Sequence, residues 1–159
     1  MIVLAVFTIV EALLLASTTS LYDPSIVYMA MVGTAVIVVC LILYASSTER
    51  DFTGYYPYLW VFCLSLCLFG IFCIWSPFTY AIYSALAIFL FSAYIVCDTQ
   101  LIVGGKGRAE LGVDDYVFGA LVLYLDIINL FLYLLSFLSA TINRDCGVCY
   151  YQTIKQTTQ

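Results

Sequence analysis

Long apolar runs, separated by short polar stretches, dominate the pattern of this chain. A helix that crosses a bilayer needs about 20 mostly apolar residues, and several runs approach or exceed that length. These runs cover residues 1–20, 26–45, 58–75, 78–103 and 116–142. The pattern therefore predicts an all-α, polytopic membrane protein with about five spans, forming one helical bundle over residues 1–142. A polar tail, residues 143–159, follows the bundle.

Polar stretches mark the ends of the predicted helices. Asp23–Pro24 forms a turn between the first two runs, because proline starts a helix well but breaks one from its interior. Residues 46–57 and 104–115 form polar loops, and Asp114 or Asp115 is placed to cap the fifth helix. With five spans the two loops share one side, which has three basic residues, whereas the tail has two. Since cytosolic loops are enriched in Lys and Arg, the loops are predicted to be cytosolic.

Composition agrees with a membrane protein and excludes other classes. The chain is 65% hydrophobic and 9% charged, whereas a soluble domain is about 45–50% apolar and about 25% charged. Five basic residues are too few for a nucleic-acid-binding surface. Cys146 and Cys149 form a Cys-x-x-Cys pair, but without a second pair or any histidine they argue against zinc. We therefore expect no bound cofactor.

Three acidic residues interrupt the apolar runs. Asp98 lies in the fourth run, Asp126 in the fifth and Glu11 in the first, and none has a basic residue in its own run. A charge at the bilayer centre costs about 2.5–3.5 kcal/mol, so a purely structural helix would carry leucine there. The paired aspartates are therefore our candidates for the functional site, with Glu11 as a third acid.

Helical spacing places polar neighbours beside each aspartate. Tyr94 lies four residues before Asp98, while Asn129 and Tyr133 lie three and seven residues after Asp126, so each set shares a helix face. Helices joined by a short loop usually pack as antiparallel neighbours. We therefore expect the two carboxyl groups to lie within hydrogen-bond or one-water distance, with these hydroxyl and amide groups as their partners.

Two carboxyl groups in contact define a switch. At low dielectric they cannot both ionise cheaply, so the pair would share one proton and form a latch. Without that proton the pair repels itself and attracts a cation, and carboxylate oxygens suit Ca²⁺. The sequence therefore predicts a pH-sensing pair, Asp98 and Asp126, that contacts calcium transiently, with Glu11 along the same path.

Two other interpretations of the acids stay open. Intramembrane polar residues can be hydrogen-bonded links between helices with no further role. Two aspartates on adjacent helices also occur in intramembrane aspartyl proteases, which typically carry Tyr-Asp and Gly-x-Gly-Asp sequences. The contexts here are VCDTQ and YLDII. Because these depart from the protease sequences, we expect the protein not to be an enzyme.

Four segments carry a resemblance to a known family. They are FTIVEALLLA at 7–16, ERDFTG at 49–54, FSAYIVCDTQLIVGG at 91–105 and DDYVFGALVLYLDIINLFLYLL at 114–135. On these segments the sequence resembles the lifeguard branch (transmembrane Bax inhibitor motif proteins) of the Bax inhibitor-1 superfamily. Family members have seven membrane helices, and the resemblance covers the last five, so we expect the first two to be missing from this chain.

The resemblance implies a function as well as a fold. It implies that Asp98 and Asp126 form a pH-sensing dyad in a calcium-leak pathway, and that Glu11 is the acid of the family's third helix. It also implies the endoplasmic reticulum, Golgi or plasma membrane, restraint of apoptosis, and lipid, calcium ions and apoptosis-regulating membrane proteins as partners. We expect a pH-sensitive calcium leak; the alternative is a non-conducting membrane regulator of apoptosis or receptor signalling that acts through protein contacts.

Overall fold

The computed structural model describes the backbone in three stretches, residues 2–73, 77–103 and 116–157. Side chains are described for residues 6–71, 79–103 and 117–142. The five helices are α1 (Ile2–Thr19), α2 (Pro24–Ser47), α3 (Tyr56–Cys73), α4 (Pro77–Val103) and α5 (Tyr116–Thr157). A 3₁₀ turn, Thr53–Tyr55, leads into α3. No strand occurs in these stretches, so the predicted all-α fold is confirmed.

Proline lies in the first turn of three of the described helices: Pro24 in α2, Pro57 in α3 and Pro77 in α4. Pro24 is the first residue of α2, and the backbone N–H groups of Ile26 and Val27 donate to the Asp23 carbonyl oxygen at 3.0 and 3.1 Å. Pro57 is the second residue of α3. A proline in the first turn costs no hydrogen bond, because the N–H that it lacks has no partner within the helix at that position. The predicted turn between the first two spans is thus present.

Four of the described helical segments are long and apolar enough to cross a membrane. They are Pro24–Ser47, Thr53–Ile71, Thr79–Val103 and Val117–Ile142, close to the predicted second to fifth spans. The part of α1 with described side chains, Val6–Thr19, is a shorter apolar helix.

Other sequence predictions fall at or beyond the edges of the described chain. The backbone of α5 continues as helix to Thr157, through most of the segment predicted as a polar tail. The second loop, 104–115, with its proposed cap at Asp114 or Asp115, lies outside the described residues. The same holds for the side chains of Cys146 and Cys149.

Helix α4 lies at the centre of the packing. It contacts α2, α3 and α5, and its interface with α5 is the most extensive one in the described chain. Residues 95–100 are all buried, which means that α4 is covered on every side over more than a full turn. A helix surrounded in this way has no lipid-facing side at that level. By contrast, α1 makes no extensive contact with any other described helix.

Two small clusters of buried side chains hold α2 against α4 and α5. At one end Leu135 of α5 packs against Ile26 and Ala30 of α2, and further along α2 Val38 contacts Ile95 of α4 and Leu130 of α5. Lipid is as apolar as these side chains, so their contribution comes from close packing rather than from removal of water. These contacts fix the α4–α5 interface that carries the two aspartates.

Gly33 of α2 lies between these clusters, where α2 and α5 approach each other closely. A Cβ atom at Gly33 would lie 3.1 Å from Cδ2 of Leu134. We expect Gly33→Leu to push the helices apart and to destabilise the bundle by about 1–3 kcal/mol, the usual range for overpacking. The midpoint of SDS-induced unfolding, followed by tryptophan fluorescence, measures the change. Val36→Leu is the matched control, because Val36 is 58% exposed on the same helix; equal midpoints for the two variants would contradict the close approach.

Candidate functional site

The paired aspartates come together at the interface between α4 and α5. Asp98 and Asp126 are only 3% and 8% exposed, and their carboxyl groups interact across the interface. Their depth follows from the sequence, because each lies inside an apolar span and the two spans pack against each other. The structure thus brings the two acids together, as the sequence predicts.

The pair is poorly satisfied by its surroundings. Both oxygens of Asp98 and Oδ2 of Asp126 are buried without a partner in hydrogen-bonding geometry among the described residues, although the two carboxyl groups interact with each other. Arg50 is the one basic residue whose side chain is described, and it is exposed in the segment between α2 and α3. A buried polar group without a partner is costly. The pair is therefore suited to take up a proton or a cation.

The predicted hydrogen-bond partners of the pair make other bonds instead. Nδ2 of Asn129 donates to the carbonyl oxygen of Leu125, one turn earlier in α5, at 2.9 Å. The Tyr133 hydroxyl lies 3.3 Å from that of Tyr83, and its ring stacks on Phe91 with centroids 5.5 Å apart. The sequence places these residues on the correct helix but does not reveal what meets them. Asn129 and Tyr133 thus stabilise the helix and its packing, and neither bonds to a carboxyl group of the described residues.

Tyr94 is the predicted neighbour that stays near the pair. It lies close enough to Asp126 for their side chains to interact electrostatically, as Cys63 of α3 does. The ring of Tyr94 packs edge-on against Tyr56, the first residue of α3, with centroids 6.0 Å apart. Tyr94 therefore joins the surroundings of the pair to the start of α3.

Glu11 is not brought to the paired aspartates. It lies half-buried on α1, and α1 does not pack extensively against α4 or α5 in the described chain. The expectation that Glu11 lines the same path required α1 to join the bundle beside these two helices. The position of Glu11 in the sequence does not show which helices α1 packs against.

Hydrogen bonds made by Cys97 and Gln100, together called the clamp, lie beside the pair and were not predicted from the sequence. Oε1 of Gln100 accepts a hydrogen bond from the backbone N–H of Phe52 at 2.8 Å, and its Nε2 donates to the Arg50 carbonyl oxygen at 2.9 Å. Sγ of Cys97 lies 3.3 Å from the carbonyl oxygen of Phe52. Gln100 is fully buried, so these bonds fix the segment between α2 and α3 against α4. The available signal was an amide side chain two residues after a buried aspartate inside an apolar run.

The described residues do not form a resident metal site. No group of three or more His, Cys, Asp or Glu side chains that could hold a metal ion occurs among them. Calcium usually takes six to eight oxygen ligands, and two carboxyl groups supply at most four. The predicted calcium contact of Asp98 and Asp126 would therefore be transient, with water completing the coordination.

Fold and site together define a polytopic helical membrane protein with a buried carboxyl pair between its two most closely packed helices. The chain belongs to the Bax inhibitor-1 family, because a family model described as "Inhibitor of apoptosis-promoting Bax1" matches residues 1–144. Relatives place it in the lifeguard branch. This chain is 35% identical over 138 residues to Protein lifeguard 4 of Mus musculus, and the match covers 84% of this chain and 55% of the relative.

A second kind of relative is viral. The chain is 34% identical over 139 residues to the Golgi anti-apoptotic protein of Vaccinia virus, strains Lister and LC16m0, which covers 85% of this chain and 56% of the relative. The chain thus spans little more than half the length of these curated relatives.

Proposed function

We propose that this chain forms part of a pH-sensitive calcium leak that lowers store calcium and so restrains apoptosis. The observation that carries the proposal is the buried pair Asp98 and Asp126, three of whose four carboxyl oxygens lack a hydrogen-bond partner among the described residues. A purely structural pair would be expected to satisfy its oxygens, because unpaired buried carboxyl groups are costly. The printed names of the family and of the Vaccinia relatives support the link with apoptosis.

The proposed gate is the α4–α5 interface. With one shared proton the two carboxyl groups hold the helices together; when that proton leaves, two negative charges at low dielectric repel each other and attract Ca²⁺. The neighbouring titratable groups are Tyr94 and Cys63, together with Cys97. Phenols and thiols ordinarily stay neutral below about pH 8. Among these neighbouring groups, the carboxyl pair is therefore the one that we propose changes charge.

Calcium efflux from liposomes tests the proposal directly. Purified protein in calcium-loaded liposomes is expected to release Ca²⁺ faster than protein-free liposomes do. The rate should rise with pH, by up to about tenfold per unit, because the deprotonated fraction of a single-proton site changes by that factor below its midpoint. Asp23→Asn is a control, since Asp23 is exposed in the turn before α2. A rate equal to that of empty liposomes at every pH would contradict the proposal.

The alternative function is a non-conducting regulator that acts through contacts with other membrane proteins. Helix α1 favours it, because Leu13 and Leu14 are 64% and 58% exposed and α1 packs extensively against no other described helix. An apolar helix with this exposure faces either lipid or a partner protein. Absence of calcium efflux, together with cross-linking of α1 to another membrane protein in cells, would support this function instead. We also propose that the protein resides in the endoplasmic reticulum, the Golgi or the plasma membrane.

A further inference from the structure

A cavity of about 390 Å³ lies between α3, α4 and α5. It is formed by the beginnings of α3 and α5 and the end of α4, so it lies near the end of the bundle rather than at its middle. Its volume falls within the range of about 300–1,000 Å³ that is usual for small-molecule sites. Its lining is apolar and aromatic apart from one carboxyl group, and comprises Tyr56, Asp98, Leu101, Ile102, Phe118, Gly119 and Val122.

The carboxyl group in this cavity has no basic partner among the described residues. Asp98 is 3% exposed, and neither of its oxygens has a partner in hydrogen-bonding geometry among the described residues. A carboxylate in apolar surroundings is stabilised by a cation beside it. The cavity has room for such a cation, and the chain's own described basic residue, Arg50, does not line it.

The lining selects the kind of cation. A divalent metal would have to keep most of its water ligands in this apolar cavity, because Asp98 supplies its only carboxyl group. An ammonium group needs only one carboxylate and gains from aromatic rings. Tyr56 and Phe118 both line the cavity, and rings of this kind attract quaternary ammonium groups. The remaining wall, from Leu101, Ile102 and Val122, suits a hydrocarbon chain.

We propose that this cavity binds a lipophilic organic monocation, with its ammonium head against Asp98 and its apolar tail along Leu101, Ile102 and Val122. This site does not depend on calcium conduction, so a chain that fails to release Ca²⁺ can still bind the cation.

Binding of a permanently charged probe tests the site. The probe is tritiated hexyltrimethylammonium, applied to the protein in phosphatidylcholine nanodiscs, with empty nanodiscs as the blank. We expect saturable binding that unlabelled hexyltrimethylammonium displaces. The neutral isostere, in which a tert-butyl group replaces the trimethylammonium group, and tetramethylammonium, which lacks the tail, should each displace the probe at least about tenfold less well. Equal displacement by either compound would overturn the proposal.

Two phenylalanines provide a matched pair of variants. Phe118 lines this cavity and is 65% exposed, whereas Phe89 is 71% exposed and lines a different groove. Phe118→Ala is expected to weaken binding by about fivefold to tenfold, and Phe89→Ala to leave it unchanged. Asp98→Asn keeps the shape of the side chain without its charge and should weaken binding by at least about tenfold. Unchanged binding in both Phe118→Ala and Asp98→Asn would show that the probe only partitions into lipid, and would overturn the assignment.

Discussion

Asp98→Asn and Asp126→Asn are each expected to flatten the pH dependence of calcium efflux while the protein still folds. Asparagine keeps the size of a protonated aspartic acid but does not titrate, so neither variant can hold or release the shared proton. A neutral amide also costs less in hydrocarbon than an unpaired carboxylate, and expression should be retained. The measurement is the efflux rate across about pH 5–8, compared at equal protein density in the liposomes.

The double variant separates a working pair from two independent acids. If Asp98 and Asp126 act as one unit, Asp98→Asn/Asp126→Asn should resemble either single variant rather than show the sum of their effects. Asp23→Asn, which changes an exposed acid, should retain the full pH dependence. Additive effects, or unchanged pH curves in both single variants, would leave the pair with a structural role only.

The helices and the meeting of the two aspartates were predictable from the sequence for a clear physical reason. Apolar length determines which segments cross the bilayer, and a short connection makes consecutive helices neighbours. Because each of these two neighbouring spans carries one acid, Asp98 and Asp126 were expected to lie close to each other. Burial of both at the α4–α5 interface follows from these constraints.

The partners of individual side chains were not predictable in the same way. Helical spacing shows which residues share a face, but not which residues of another helix meet that face. Tyr133 therefore pairs with Tyr83 of α4, and Asn129 bonds to its own helix, although both share a face with Asp126. The position of Glu11 depends on the packing of a whole helix, and α1 makes no extensive contact with α4 or α5 in the described chain.

One buried turn of α4, residues 97–100, makes contacts in different directions. Asp98 faces α5, whereas Cys97 and Gln100 bond to the segment that precedes α3. The Thr99 hydroxyl donates to the Ile95 carbonyl oxygen of its own helix at 2.6 Å, its one bond within the described part of the chain. Neighbouring positions in a helix point in different directions, so one turn can hold the acid pair on one side and a clamp on the other. The clamp therefore ties the position of the segment before α3 to the helix that carries Asp98.

Gln100→Leu is expected to release that segment. Leucine fills similar space but leaves the Phe52 N–H and the Arg50 carbonyl oxygen without the partners that Gln100 gives them at 2.8 and 2.9 Å. Loss of a partner for a buried backbone group costs about 1–3 kcal/mol. Since Arg50 is exposed and water can replace its bond, we expect a total of about 1–3 kcal/mol, borne mainly by the Phe52 N–H. Hydrogen exchange at Phe52 should then accelerate by about fivefold or more.

Thr99→Val provides the control for this experiment. Thr99 is as deeply placed as its neighbour, at 5% exposed, but its hydroxyl makes no bond to the segment before α3. Exchange at Phe52 should therefore match that of the unchanged protein in Thr99→Val and rise only in Gln100→Leu. If exchange rose equally in both variants, general loosening of α4 would explain it. If it rose in neither, the segment would be held by its aromatic contacts, since the Phe52 ring lies 6.1 Å from Tyr44 and 6.2 Å from Tyr55, and the clamp would contribute little to its position.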